Sequence, residues 1–184
     1  MNCKYLHFLL ILTIVLTGGC RRQSKNEGVI VQSIQQTGQL VTAEYTLQKI
    51  VKASDNRTWY KFGDRNILIA VEAIVKAGID LQQVTPDDVS FRDSVISVRL
   101  PKPSIFSVSL PPDKIKVKYE DVSFLRSHFS AAEREELLRQ AESQVRRLAD
   151  SLGILQTAEA NAATFLRRLL LREGFNEVKL AFQK

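Results

Sequence analysis

At 184 residues, with 45% hydrophobic and 25% charged side chains, the chain has the composition of one globular domain and too little length for two ordinary ones. Its formal charge is +6, and no aromatic-interleaved basic motif accompanies that surplus, so nucleic acid is not an expected partner. The only cysteines are Cys3 and Cys20 and the only histidines His7 and His128, which excludes an internal disulfide, a thiol nucleophile or a thiolate metal site beyond residue 20.

The amino end carries Lys4, an apolar run from Phe8 to Leu12 that extends to Leu16, and then Thr17-Gly18-Gly19-Cys20. A membrane-crossing helix needs roughly 20 apolar residues, and this run is too short. A positive charge, a short apolar core and small residues form an export signal. The segment resembles the lipobox of bacterial lipoproteins, although Thr17 stands where the lipobox usually has leucine and Leu16 lies one place early. The resemblance implies a signal peptide over 1–19 and a mature amino end at Cys20 bearing a diacylglycerol and a further acyl chain. Two or more chains make a stable anchor, so membrane lipid becomes the first expected partner. Arg21, Arg22 and Lys25 follow, either touching anionic headgroups or solvating a linker. Residues 20–28 read as a tether and 29–184 as one domain. Arginine after the cysteine, with no acidic run, favours the outer membrane facing the periplasm.

Residues 29–37 fit a helix or a strand, and a short helix is expected. Val41, Ala43, Tyr45, Leu47 and Val51 alternate with polar residues and predict a strand. Ser54-Asp55-Asn56 reads as a turn, Trp59 to Phe62 as a short strand, and Gly63-Asp64 as another turn. From Ile67 to Ala77 the alternation returns with both faces partly apolar, which predicts a central strand. Thr85-Pro86-Asp87-Asp88 predicts one helical turn. Strands follow over 96–100, 106–110 and 115–119, punctuated by prolines. Lys114, Lys116 and Lys118 alternate along the last of these and form a candidate face for an anionic ligand; a charged row also protects a sheet edge.

Ser130-Ala131-Ala132-Glu133 is a capping box, and period 3.6 takes over. Leu137, Leu138, Ala141, Val145, Leu148, Ala149 and Leu152 mark an apolar face, resumed after Gly153 by Leu155, Ala158, Ala162, Phe165, Leu166 and Leu169. One long kinked helix and two helices fit equally. Glu173-Gly174 ends the helical region, and Val178, Leu180 and Phe182 alternate as a closing strand. The expected fold is α+β: a mostly antiparallel, meander-like sheet covered on one face by one or two C-terminal helices.

The segments at 40–51, 73–81, 94–105 and 153–180, with their AGIDL, RLP and EGF elements, together resemble the bacterial domain-of-unknown-function 4230 family. The resemblance implies the extent of the domain, envelope association and a turn at the AGIDL element, with Gly78 in it; it brings no reaction and no catalytic residue. Three functional readings remain open. The first is a non-enzymatic envelope module binding a partner protein or an anionic component. The second is an enzyme drawing on Asp80, Asp87, Asp88, Asp93 and Asp113. The third is a structural subunit docking through Arg134, Arg139, Arg146, Arg147, Arg167, Arg168 and Arg172. A triad through His128 lacks its serine context. No catalytic residue, metal ligand or cofactor is singled out, and the oligomeric state is open.

Overall fold

One hairpin forms the spine of the computed structural model, which describes residues 27–55 and 63–183. In it β1 (Gln39–Asp55) and β2 (Arg65–Asp80) pair antiparallel from Gln39 opposite Asp80 to Asp55 opposite Arg65. At about 3.3 Å per residue each strand runs roughly 50 Å, some three times the common length. The predicted alternation is the reason: Ile67, Ile69, Val71, Ala73, Val75, Ala77 and Ile79 are all buried, while the residues between them, apart from Gly78, face a more open side. β2 is the central strand, as its pattern predicts. Its second edge pairs first with β6 (Ile115–Val122) and then with β5 (Ser104–Ser109), so the ribbon is three strands wide.

Two helices cover one face, α2 (Ala131–Ser151) and α3 (Ile154–Arg172). Gly153 decides between one helix and two: its φ of 79° is left-handed, which ends α2, and its carbonyl accepts from Thr157 to start α3. The helices lie end to end along the ribbon, together roughly 60 Å of helix. Leu137 and Ala141 pack on Val51, Ile67 and Ile69; Val145, Ala149, Ile154 and Ala158 pack on Ala43, Ala73 and Val75. The core is thus a series of clusters along a line.

The buried face of these helices departs from the expectation. Burial advances in steps of four, through Leu137, Ala141, Val145 and Ala149 and then Ile154, Ala158, Ala162, Leu166 and Leu170. Each four-residue step turns about 40° around the helix, the drift that packing along a twisted sheet calls for. Leu148 is therefore only half-buried, and Leu152, Phe165 and Leu169 reach the surface.

A second, smaller sheet joins β3 (Val89–Arg92), β4 (Val95–Leu100) and β7 (Glu177–Phe182). β7 is the closing strand, but it runs parallel to β4, so the architecture is two sheets with one parallel pair rather than one meander. The crossover through the helices is what lets the chain return in the same direction. The short helix expected near the start is present as α1 (Glu27–Gln36), whose Val31 and Ile34 share a cluster with Leu81, Ile96, Leu166 and Phe175.

Two local readings need correction. Ser54 and Asp55 stay in β1 instead of turning, while Asn56 and the strand expected at Trp59 to Phe62 lie outside the described residues. Gly78 is no turn: it sits inside β2 beside a bulge between Val41 and Ala43, where a Cβ would stand 1.9 Å from the Leu40 carbonyl oxygen. The expected export signal over 1–19, Cys20 and the basic residues Arg21, Arg22 and Lys25 also lie outside the described residues.

Candidate functional site

Among the described residues one charged side chain is buried, Arg65, at 8% exposure. It begins β2 on the parity that faces the helices, and carboxylates from two other elements meet it there. Its Nη2 donates to Asp55 Oδ2 at 3.0 Å and to Glu133 Oε1 at 2.6 Å, and its Nη1 reaches the Ser127 carbonyl at 3.4 Å. The guanidinium carbon stands 4.5 Å from the centre of the Phe129 ring. Arg126 also pairs with Asp55 and donates to the Gly63 carbonyl.

Glu133 does double duty, because it also accepts from the Ser130 amide at 2.8 Å and hydroxyl at 2.9 Å, completing the predicted capping box. The Arg65 hydrogen bond and then those from Ser130 hold its carboxyl down to about 2. A cleft of about 420 Å³ opens beside this cluster, lined by Ala53, Ala132, Glu136 and Leu137. Two arginines face two carboxylates, and the Glu133 carboxyl is driven toward the charged form. The cluster is a clamp that ties the far end of the hairpin to the start of α2; a general acid needs the opposite shift. The pattern held a signal for it, an arginine at the head of an otherwise apolar alternation.

The five aspartates of the enzyme reading are dispersed over turns. Asp80 caps the turn at 81–83, accepting from the Gln82 amide at 3.2 Å. Asp88 caps the predicted turn at 86–88, accepting from the Thr85 hydroxyl at 2.7 Å and from Arg99 at 2.8 Å, and those bonds, the hydroxyl first, lower its carboxyl to about 2. Asp87 is exposed beside it, Asp93 takes a left-handed φ of 56° between β3 and β4, and Asp113 sits in the exposed turn at 112–114. His128 is at the surface, 3.3 Å from Glu120, which Arg134 also grips at 2.8 Å. Burial works against ionisation of Glu120, but bonds from the Phe129 amide and His128 and the Arg134 charge outweigh it and lower its pKa. Of the other arginines, Arg139 pairs with Glu136, Arg146 reaches the Ile105 carbonyl and Arg147 the Ser143 hydroxyl.

The lysines lead to a different surface. Lys114 precedes β6 and pairs with Glu72 at 3.2 Å; Lys116 stands opposite Ala70; Lys118 falls in a bulge between the Leu68 and Ile69 pairings. The three therefore do not form one row, and β6 is an edge strand, where lysines discourage further pairing. Lys114 and Lys116 do lie along the ribbon face that the helices leave bare. Across that face Lys52, Leu68 and Tyr119 make one rung, and Ile50, Ala70 and Lys116 the next. Ile50 is 63% exposed and Tyr119 51%, with Lys52 and Lys116 paired to no acid among the described residues. A four-residue apolar island between basic side chains is thus open to solvent. Sequence reading missed it because alternation shows that a strand has two faces, not which neighbour leaves one uncovered.

No curated protein and no solved structure matches the chain. A family model does match, over residues 32–180, from the middle of α1 into β7. The chain belongs to the family described as Protein of unknown function (DUF4230).

Proposed function

We propose that this protein is a lipoprotein of the bacterial cell envelope, held by acyl chains on Cys20, and that it serves as a non-enzymatic binding module. The carrying observation is the bare ribbon face: an apolar island of Ile50, Leu68, Ala70 and Tyr119 flanked by Lys52 and Lys116, which pair with no acid among the described residues. Apolar contact flanked by two lysines, with Asp121 and Glu72 only on the rungs beyond, suits an envelope protein with an apolar centre and acidic groups placed to meet those lysines, since desolvated apolar groups supply affinity and charges supply orientation. The dispersal of the aspartates into caps and turns supports binding over carboxylate catalysis. The lipobox-like segment ending at Cys20 and the basic residues after it support the envelope address, with the outer membrane facing the periplasm as its proposed place.

Site-specific photo-crosslinking in cells tests the reading. A photoreactive residue at position 50 or 119 is expected to trap the same envelope protein, while one at exposed Glu135 on the helical side traps none. Lys52→Glu with Lys116→Glu is expected to abolish the adduct. The absence of an adduct at both face positions, or an equal yield at 135, refutes the binding surface. Cys20→Ser is expected to block processing and acylation, read by intact mass; a mass showing no acyl chain on the natural protein refutes the anchor.

A further inference from the structure

The two sides of α3 are not equally spent. Ala158, Ala162, Leu166 and Leu170 are buried against the sheets, yet Phe165, Arg168, Leu169 and Arg172 fall at i, i+3, i+4 and i+7 and therefore share a second stripe. That stripe is open: Phe165 is 46% and Leu169 37% exposed. Arg168 and Arg172 are exposed and pair with no acid among the described residues. Amphipathic sequence alone accounts for the buried stripe, and leaves the exposed one unexplained.

Its position is informative. The carboxyl-terminal half of α3 packs in the same cluster as Val31 and Ile34 of α1, so the stripe and the point where the described chain begins share one pole of the molecule. Cys20 precedes Glu27 by seven residues, which at full extension span about 25 Å. A lipid-anchored Cys20 therefore holds this pole near the headgroups, with Arg21, Arg22 and Lys25 in the span between. An aromatic ring and a leucine flanked by two guanidinium groups are the side chains that lie at the boundary of an anionic bilayer, the apolar parts inserted and the cations on phosphate.

We infer that the last three turns of α3 dock on the anionic membrane surface, Phe165 and Leu169 entering the headgroup boundary and Arg168 and Arg172 contacting lipid phosphate. This rests on the anchoring proposed above. Docking fixes the pole against the bilayer and converts a loose tether into a set orientation.

The acylated protein, purified in detergent and reconstituted into vesicles, supplies the test. Phe165→Trp in a Trp59→Phe background makes position 165 the reporter, with Leu169→Trp as a second reporter of the same stripe. In vesicles of phosphatidylcholine containing a quarter phosphatidylglycerol, the emission is expected to shift to the blue and to be quenched by lipids brominated in their acyl chains. In phosphatidylcholine alone both effects are expected to fade. Changing Arg168 and Arg172 to glutamine, at exposed positions where the fold is indifferent, is expected to weaken docking about thirtyfold. Protein that floats with the anionic vesicles while both reporters stay unquenched overturns the inference and leaves the anchor intact. Protein that does not float overturns the anchor and the inference together. Reporters that are shielded without lipid, with cross-linked dimers at the same concentration, show a second copy on the stripe and also overturn it.

Discussion

Replacing Glu133 by glutamine keeps the shape of the side chain and removes the charge that faces Arg65. In the folded chain the carboxyl is lowered from 4.5 to about 2, first by the Arg65 hydrogen bond and next by those from Ser130. Folding thus favours the ionised form, so the stabilisation is complete above the unfolded value near 4.5 and is lost as pH falls toward the folded value near 2. At about 1.4 kcal/mol per unit, a shift of ~2.5 units corresponds to roughly 3.4 kcal/mol before screening. The side chain is 42% exposed, and solvent reduces that figure, so the expected loss is about 1 to 2 kcal/mol. Urea unfolding of the chain from residue 24 onward, for the natural sequence and Glu133→Gln, measures it as a shift in midpoint at constant slope. The gap is expected to be full near pH 7, nearly full near pH 5, and less than half by about pH 3, where the natural carboxylate is itself losing its advantage. Subtraction cancels Asp88 and Glu120, which are common to both proteins. Equal stability near pH 7, or a gap that holds its size down to pH 3, refutes the clamp.

The remaining predictions concern packing. Gly78→Ala is expected to cost about 3 kcal/mol or more, because the new methyl would stand 1.9 Å from the Leu40 oxygen and 2.9 Å from the Phe106 ring. An unchanged unfolding midpoint would show that the bulge opposite Gly78 is absent. Leu166→Ala, at a site 3% exposed, is expected to cost about 2 to 5 kcal/mol. Leu169→Ala, at a site 37% exposed, is expected to cost under about 1 kcal/mol. The reverse order in denaturation would mean that the two stripes of α3 are exchanged.

What the sequence made legible were the features decided within a few residues. The alternation of β2 from Ile67 to Ala77, the capping box at Ser130 and the α+β class all stand in the structure. Gly153 marked a break whose nature depended on a single dihedral angle, and no periodicity reports that angle. Leu169 belongs to the apolar face that periodicity predicts and is yet 37% exposed, because α3 has two apolar stripes and a helical wheel cannot say which one a sheet will cover. The parallel pairing of Val95–Leu100 with Glu177–Phe182 joins segments about eighty residues apart, and nothing local encodes it. The same holds for the Arg65 clamp, whose carboxylates arrive from β1 and α2, and for the bare face, which exists only because the helices chose the other side.

The parallel strand β7 has a consequence for how the molecule is completed. A polypeptide emerges amino end first, whether from ribosome or translocon, and the long hairpin with its neighbouring strands can assemble as soon as residue 122 is free. The pocket that seats α1 cannot. Phe175 belongs to its buried cluster, Val178, Leu180 and Phe182 pack against it, and the β7 strand is the second neighbour of β4. Until those last residues arrive, β4 presents an unpaired edge, the surface that invites aggregation and proteolysis. The final six-residue strand acts as a latch, and a nascent molecule cut short before it would carry a finished spine on an unfinished base.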